Sequence, residues 1–258
     1  MNAEEILKEL EPFGKSKNVE GMRRFGISSN TAYGVPVPVL RYFAKKFKND
    51  HKLALELWET NVHEGKLLSA FIDNPEEVTE EQMQNWVNDF YSWDICDQVC
   101  SNVFDKTPLA YEKAIEWSKE EKEFVRRAGF VMMAVLAVHD KKANNDKFVQ
   151  FFPLIEKYSC DERNFVKKAI NWALRQIGKR NLQLNAKAIT LANKIKKQNS
   201  KSKRWIASDA IRELKSEKVI NRLKRKKTKH FKQKIGNLKQ DYYYFISYHK
   251  FNILPFTN

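Results

Sequence analysis

Apolar residues recur along most of this chain at intervals of three and four, the spacing that lines one face of an α-helix. Leu53, Leu57 and Trp58 form one stripe, and Leu67, Leu68 and Phe71 form the next. Val131, Val135 and Val138 continue the pattern, as do Ile189, Ala192 and Ile195. No stretch alternates strictly enough to predict a strand. Pro12, Pro36, Pro38, Pro75, Pro108 and Pro153 fall between the stripes and read as loop punctuation. The pattern predicts an all-α chain.

The stripes also repeat. Phe124-Val125-Arg126-Arg127-Ala128 is echoed by Phe165-Val166-Lys167-Lys168-Ala169, 41 residues later. Ala173-Leu174-Arg175-Gln176-Ile177 is echoed by Ala210-Ile211-Arg212-Glu213-Leu214, 37 residues later. Weaker copies lie around His63 to Leu68 and from Trp93 to Phe104. Helix pairs at periods near 40 are the mark of HEAT-like arrays, which stack into a curved solenoid with a concave face. Residues 1–214 are expected to form one such domain with a concave basic face. Residues 215–258 are expected to form a basic and aromatic tail, either disordered or packed on the last repeat. The tail carries the cationic run Arg222 to Lys227 and the aromatic run Tyr242 to Phe245.

Charge changes the picture. The net charge is +15 over 258 residues, unevenly spread. Residues 1–162 hold 21 Lys/Arg against 28 Asp/Glu, whereas residues 163–208 hold 13 Lys/Arg and no acid. Such a segment is either a solvated helical surface or a footprint for phosphate, and the absence of acids favours nucleic acid. No run of eighteen apolar residues predicts a membrane span, and the first residues lack a secretion-signal layout. Three cysteines argue against a disulfide framework and for a reducing compartment, cytoplasmic and nucleoid-associated, or nuclear in a eukaryotic host. Cys96 and Cys100 read as small core residues rather than metal ligands.

Ser92-Trp93-Asp94-Ile95-Cys96-Asp97 supplies the candidate chemistry. Trp93 and Asp97 are four residues apart, so a helix sets an indole and a carboxylate on one face. Ser92 reads as a helix cap. Together with Gly34 to Arg41, Leu57-Trp58, His63-Glu64, Val125 to Ala128 and Phe165 to Arg175, this segment resembles the AlkD-like DNA alkylation repair enzymes, which are HEAT-like-repeat DNA glycosylases. The resemblance covers roughly residues 1–214. It implies removal of cationic alkylated purines, such as 3-methyladenine and 7-methylguanine, by hydrolysis of the N-glycosidic bond. It implies Asp97 as the catalytic aspartate, Trp93 and Trp172 as the tryptophans against the lesion-bearing nucleotide, and Arg127 as the arginine that holds the nearby backbone. It also implies contact through backbone and sugar without a deep base pocket. The expected partner is double-stranded DNA with alkylated bases, bound by a monomer that needs no cofactor and no metal.

Elementary chemistry agrees with that set. A cationic purine leaves with little acid catalysis, and the developing oxocarbenium ion needs a fixed anion and an oriented water. Lys167, Lys168, Arg175, Lys179 and Arg180 flank Trp172 and are candidates for phosphate contacts. Other readings of the residues stay open. Asp97 and Arg127 could be an ordinary helix carboxylate and a salt bridge between repeats, within a non-catalytic nucleic-acid module or a protein-interaction scaffold. His63-Glu64 reads as an inter-helix hydrogen-bonding feature, His139-Asp140 as a cap, and Trp58, Trp86 and Trp117 as core.

Overall fold

The computed structural model describes residues 1–226 and 228. Among these residues the chain is helical and contains no strand. Helices α1 (Ala3–Leu10), α2 (Ser16–Arg24) and α3 (Val37–Ala44) are followed by α4 (His51–Glu59), α5 (His63–Ile72), α6 (Glu80–Asn88) and α7 (Trp93–Asn102). Then come α8 (Ala110–Trp117), α9 (Glu123–His139), the short α10 (Asp146–Val149), α11 (Phe152–Tyr158), α12 (Asn164–Gly178), α13 (Leu182–Lys196) and α14 (Lys201–Leu214).

Local chemistry sets the helix starts. Asn2 and Glu5 form a reciprocal capping box on α1, and Asp50, Thr79 and Asn181 accept from backbone N–H groups of α4, α6 and α13. Pro38 and Pro153 sit inside the first turns of α3 and α11 rather than in loops. A first-turn N–H has no intrahelical acceptor, so proline loses nothing there.

The even layering follows from packing. Helices α3, α5, α7, α9, α12 and α14 form one row in which each packs on the next. Helices α4, α8 and α13 pack behind their partners α5, α9 and α14, as the second layer of a HEAT-like solenoid. Every residue of α9 from Arg127 to Ala137 is buried, which places this helix at the centre of the core. Gly129 makes that burial possible: a Cβ there would stand 2.2 Å from the backbone nitrogen of Ser118, at the end of α8.

The three tryptophans assigned to the core lie there. Trp58 and Trp86 stack with ring centroids 4.1 Å apart, and Trp117 is fully buried. Cys96 and Cys100 are fully buried small side chains. No helix among the described residues is long and apolar enough to cross a membrane. Beyond α14 the first part of the expected tail is a helix over 217–226, seated on the solenoid by Val219 and Leu223. The aromatic run Tyr242 to Phe245 lies outside the described residues.

Candidate functional site

His63, Glu64, Trp93, Asp94, Asp97 and Arg127 gather at the N-terminal ends of the inner helices α5, α7 and α9. Each of those ends is tied to the next across the repeat boundary. Glu64, in the first turn of α5, is buried and accepts from the backbone N–H groups of Tyr33, Gly34 and Val35 at 2.9, 2.8 and 3.1 Å. His63 pairs through Nε2 with Asp94 at 2.9 Å and through Nδ1 with the Tyr91 hydroxyl at 2.9 Å. Ser92 occupies the N-cap position of α7 but makes no capping bond. Its hydroxyl donates to Asp94 at 2.6 Å instead. Burial works against the Asp94 charge, but the hydrogen bonds from His63 and Ser92 outweigh it and hold the carboxyl below its ordinary range. Asp94 is thus a structural anion in a connected network.

Asp97 lies one turn further along α7, and Arg127 of α9 closes on it. Arg127 Nε and Nη2 donate to Oδ1 at 3.1 and 2.9 Å, and Nη2 also reaches Oδ2 at 2.9 Å. Nη1 donates to the Phe165 carbonyl at the start of α12, at 2.6 Å. One guanidinium therefore stitches three successive inner helices. The Asp97 side chain keeps 18% of its surface exposed, whereas that of Arg127 keeps 7%. Burial pushes Asp97 up to about 6, with the nearby Asp94 charge adding and the Arg127 charge opposing.

This geometry changes the role expected of Arg127. Its paired donors face Asp97 and a carbonyl, so they do not face outward to a phosphate. The adjacent Arg126 points the other way, donating to Asp161 at 2.8 Å and lying over the Tyr158 ring. Two consecutive helix residues diverge by about 100°, so only one of them can meet α7.

Trp93 opens α7 half-buried, its indole N–H donating to the Phe25 carbonyl at 3.0 Å. The segment after α2 therefore sits against the site. Gly26 follows with φ of +79°, and a Cβ there would stand 2.6 Å from the Phe165 ring. Only glycine fits that backbone at that distance. Sequence reasoning overlooked Phe25 and Gly26, since neither falls on a helical stripe; a glycine in a chain holding only eight was the available signal. Trp172 is half-buried on α12, against the core, seven residues after Phe165 and so on nearly the same helix face.

The five candidate cations separate into two groups. Arg175 and Lys179 both pair with Glu213 of α14, Lys179 at 2.6 Å, and Arg175 also lies 3.8 Å from Asp209. Arg180 donates to the carbonyls of Ala137 and Ala143 at 2.9 and 3.0 Å. Lys168 is exposed, and the Lys167 ammonium stands 5.4 Å from the ring centroid of Trp205. Trp205 itself is 42% exposed on α14, an indole that the helical pattern did not distinguish.

The fold is thus a two-layered helical repeat with a carboxylate clamped by an arginine one helical turn after a tryptophan. Residues 6–214 match the DNA alkylation repair enzyme family, and the chain belongs to it. No curated protein matches the chain. A solved structure from a family described as related to the HEAT-like repeat DNA glycosylases, with affinity for branched DNA structures, is similar in fold. It aligns with a TM-score of 0.69 at 20% identity, covering 82% of this chain and 95% of its own. A designed armadillo repeat protein in complex with a (KR)4 peptide aligns with a TM-score of 0.33 at 13% identity, over 84% and 97% of the two chains.

Proposed function

We propose that the protein is a monofunctional DNA glycosylase that hydrolyses the N-glycosidic bond of cationic alkylated purines. The observation that carries this reading is the Asp97 carboxylate, held by Arg127 through both oxygens one turn from Trp93. A purine with a formal positive charge departs with the bonding electrons as a neutral base. The sugar is left as an oxocarbenium ion, which a preorganised anion stabilises. Asp97 is that anion. Arg127 accounts for two acceptor sites on Oδ1 and one on Oδ2, so Oδ2 keeps a lone pair able to accept from the attacking water. Trp93, one helical turn before Asp97 and pinned by its N–H, supplies a ring that favours cationic character in the sugar. The exposed Lys168 and the half-buried Lys167, with the neighbouring indole of Trp205, suit a strand of DNA along α12 and α14. Selection by leaving-group charge needs no base pocket.

The test is release of 7-methylguanine from a methylated duplex, followed by mass spectrometry, for the wild type and Asp97→Asn. The variant should lose on the order of 10²-fold in rate. Equal release by two folded proteins would take Asp97 out of the mechanism.

A second reading is supported by the same ion pair. Arg127 neutralises Asp97, and a neutralised carboxylate also suits a module that binds DNA of unusual shape without chemistry. It calls for salt-sensitive binding, preference for a four-way junction over linear duplex, and no base release.

A further inference from the structure

At the other end of the inner helices lies a cavity of about 870 Å³, bounded by the C-terminal ends of α9 and α12, the start of α13 and the helix over 217–226. Five cations line it: Lys141, Lys179, Arg180, Arg222 and Lys226. No carboxylate lines it among the described residues. Among the described residues only Lys179 has an acidic partner, Glu213. Arg180 is fixed by two carbonyls and stacks 3.9 Å over Phe148, which sets its guanidinium rigidly in the wall. The Lys141 ammonium bonds only the Val138 carbonyl, and Arg222 and Lys226 meet no carboxylate within ion-pair distance among the described residues.

The start of α13 adds donors of another kind. Leu182 and Gln183 line the cavity, and their backbone N–H groups have no acceptor among the described residues. The Asn181 cap takes only the N–H of Leu184, and the first turn carries no acid. A fifteen-residue helix places partial positive charge there. The Asp140 carboxylate nearby is engaged by the Tyr111 hydroxyl and the N–H groups of Lys142 and Ala143. Gathering five cations and a helix start around one space is unfavourable unless an anion fills it. Lys226 registers the conflict: burial, then the charges of Arg222, Lys141 and Arg180, hold it below the ordinary lysine value.

We infer that this cavity is a phosphate-binding site, separate from Asp97, and that its natural occupant is a backbone phosphate of bound DNA. Cations in a pocket of this size and amide donors at a helix start match a tetrahedral dianion or phosphodiester. Distance favours DNA as the source. Arg127 and Ala137 are ten residues apart on α9, so the two ends are separated by about 15 Å. The major groove of a duplex is about 12 Å across, so a strand at Asp97 sets the facing strand's phosphates at that range. The phosphate site stands whether or not Asp97 releases bases; its filling by DNA rests on DNA binding alone.

The experiment uses the full chain and the double variant Arg222→Ala/Lys226→Ala, whose side chains are exposed and whose removal leaves the core intact. Lys187→Ala/Lys197→Ala removes the same charge from exposed positions on α13 and just past its end, outside the cavity, and serves as the control. Two probes are titrated by calorimetry and by phosphorus-31 resonance: pyrophosphate, and a twenty-base-pair unmodified duplex. The cavity variant should bind pyrophosphate at least tenfold more weakly than wild type and control. It should also flatten the slope of log affinity against log salt for the duplex by about 2. Base release from a methylated duplex at saturating concentration should be unchanged, which separates a failure here from a failure of the glycosylase reading. If wild type does not bind pyrophosphate, or the cavity variant binds it as the control does, the site is refuted. Loss of pyrophosphate binding with an unchanged duplex slope would keep the phosphate site and overturn DNA as its occupant, leaving a free phosphorylated compound.

Discussion

Asp97, the proposed catalytic residue, is held between opposing forces. Burial favours its neutral form, Arg127 favours the anion, and the outcome is a group pushed up to about 6. A pKa raised above the unfolded value means that the folded protein holds the proton more tightly. The stability it adds is complete below the unfolded value of about 4 and is lost as pH rises through about 6. The anion that chemistry needs is therefore the less stable form of the site. Base release should climb as pH rises through about 6 and level off above about 7. A rate that stays flat from pH 5 to 8 after subtraction of spontaneous loss would exclude this ionisation from the mechanism. Arg127→Gln should move the inflection to higher pH and lower stability by about 3 kcal/mol, since a buried carboxylate then loses its counter-charge. Urea denaturation and the pH profile read the two effects separately. That Trp93 and Asp97 lie one turn apart on a single helix was legible from their four-residue spacing. The Arg127–Asp97 bond was not, because it joins residues 30 apart and depends on how α7 packs against α9.

At the scale of the helix, the inner row explains why the repeats showed clearly only in the second half of the sequence. From α5 onward the inner helices begin at His63, Trp93, Glu123, Asn164 and Lys201. The first two steps are 30 residues and the last two are 41 and 37. A reading tuned to periods near 40 finds the Phe124 and Phe165 copies and sees the earlier ones as degenerate. What unites the row is position in space, with polar bonds between successive N-terminal ends, and not a constant interval. The helix after Leu214 escaped notice because Val219 and Leu223 are its only buried apolar residues, amid a cationic run. Close approach of layers was equally hidden, since it depends on a residue with no side chain. Gly129→Ala should drive α8 from α9 and destabilise the fold by about 3 kcal/mol, as overpacking does. Thermal melting measures it, and a midpoint within a degree of wild type would show that Ser118 moves aside without strain.

Across the whole molecule the charge asymmetry of the sequence is partly cancelled by folding. The acid-free stretch 163–208 looks uniformly cationic, yet Arg163, Arg175, Lys179 and Lys194 each meet a carboxylate from outside the stretch. Sequence alone hides this, because Glu213 and Glu156 lie outside the window and reach in only when helices pair. The cations left over, Lys167 and Lys168 among them, are those with a field to offer a polyanion. A DNA ligand responds to that residual field, not to the count of basic residues. Lys167→Ala/Lys168→Ala should weaken binding to all duplex sequences alike and flatten the salt slope by about 2. Arg175→Ala removes the same kind of charge two helical turns away on α12, from a side chain already committed to Glu213 and Asp209. It should leave the salt slope nearly unchanged and lower stability by about 1 kcal/mol, as expected of a part-exposed pair. Fluorescence anisotropy over a range of salt concentrations, paired with urea denaturation, tests both variants. Equal slopes for the two would mean that DNA displaces the Glu213 contact and draws Arg175 to itself, so that binding reorganises the link between α12 and α14.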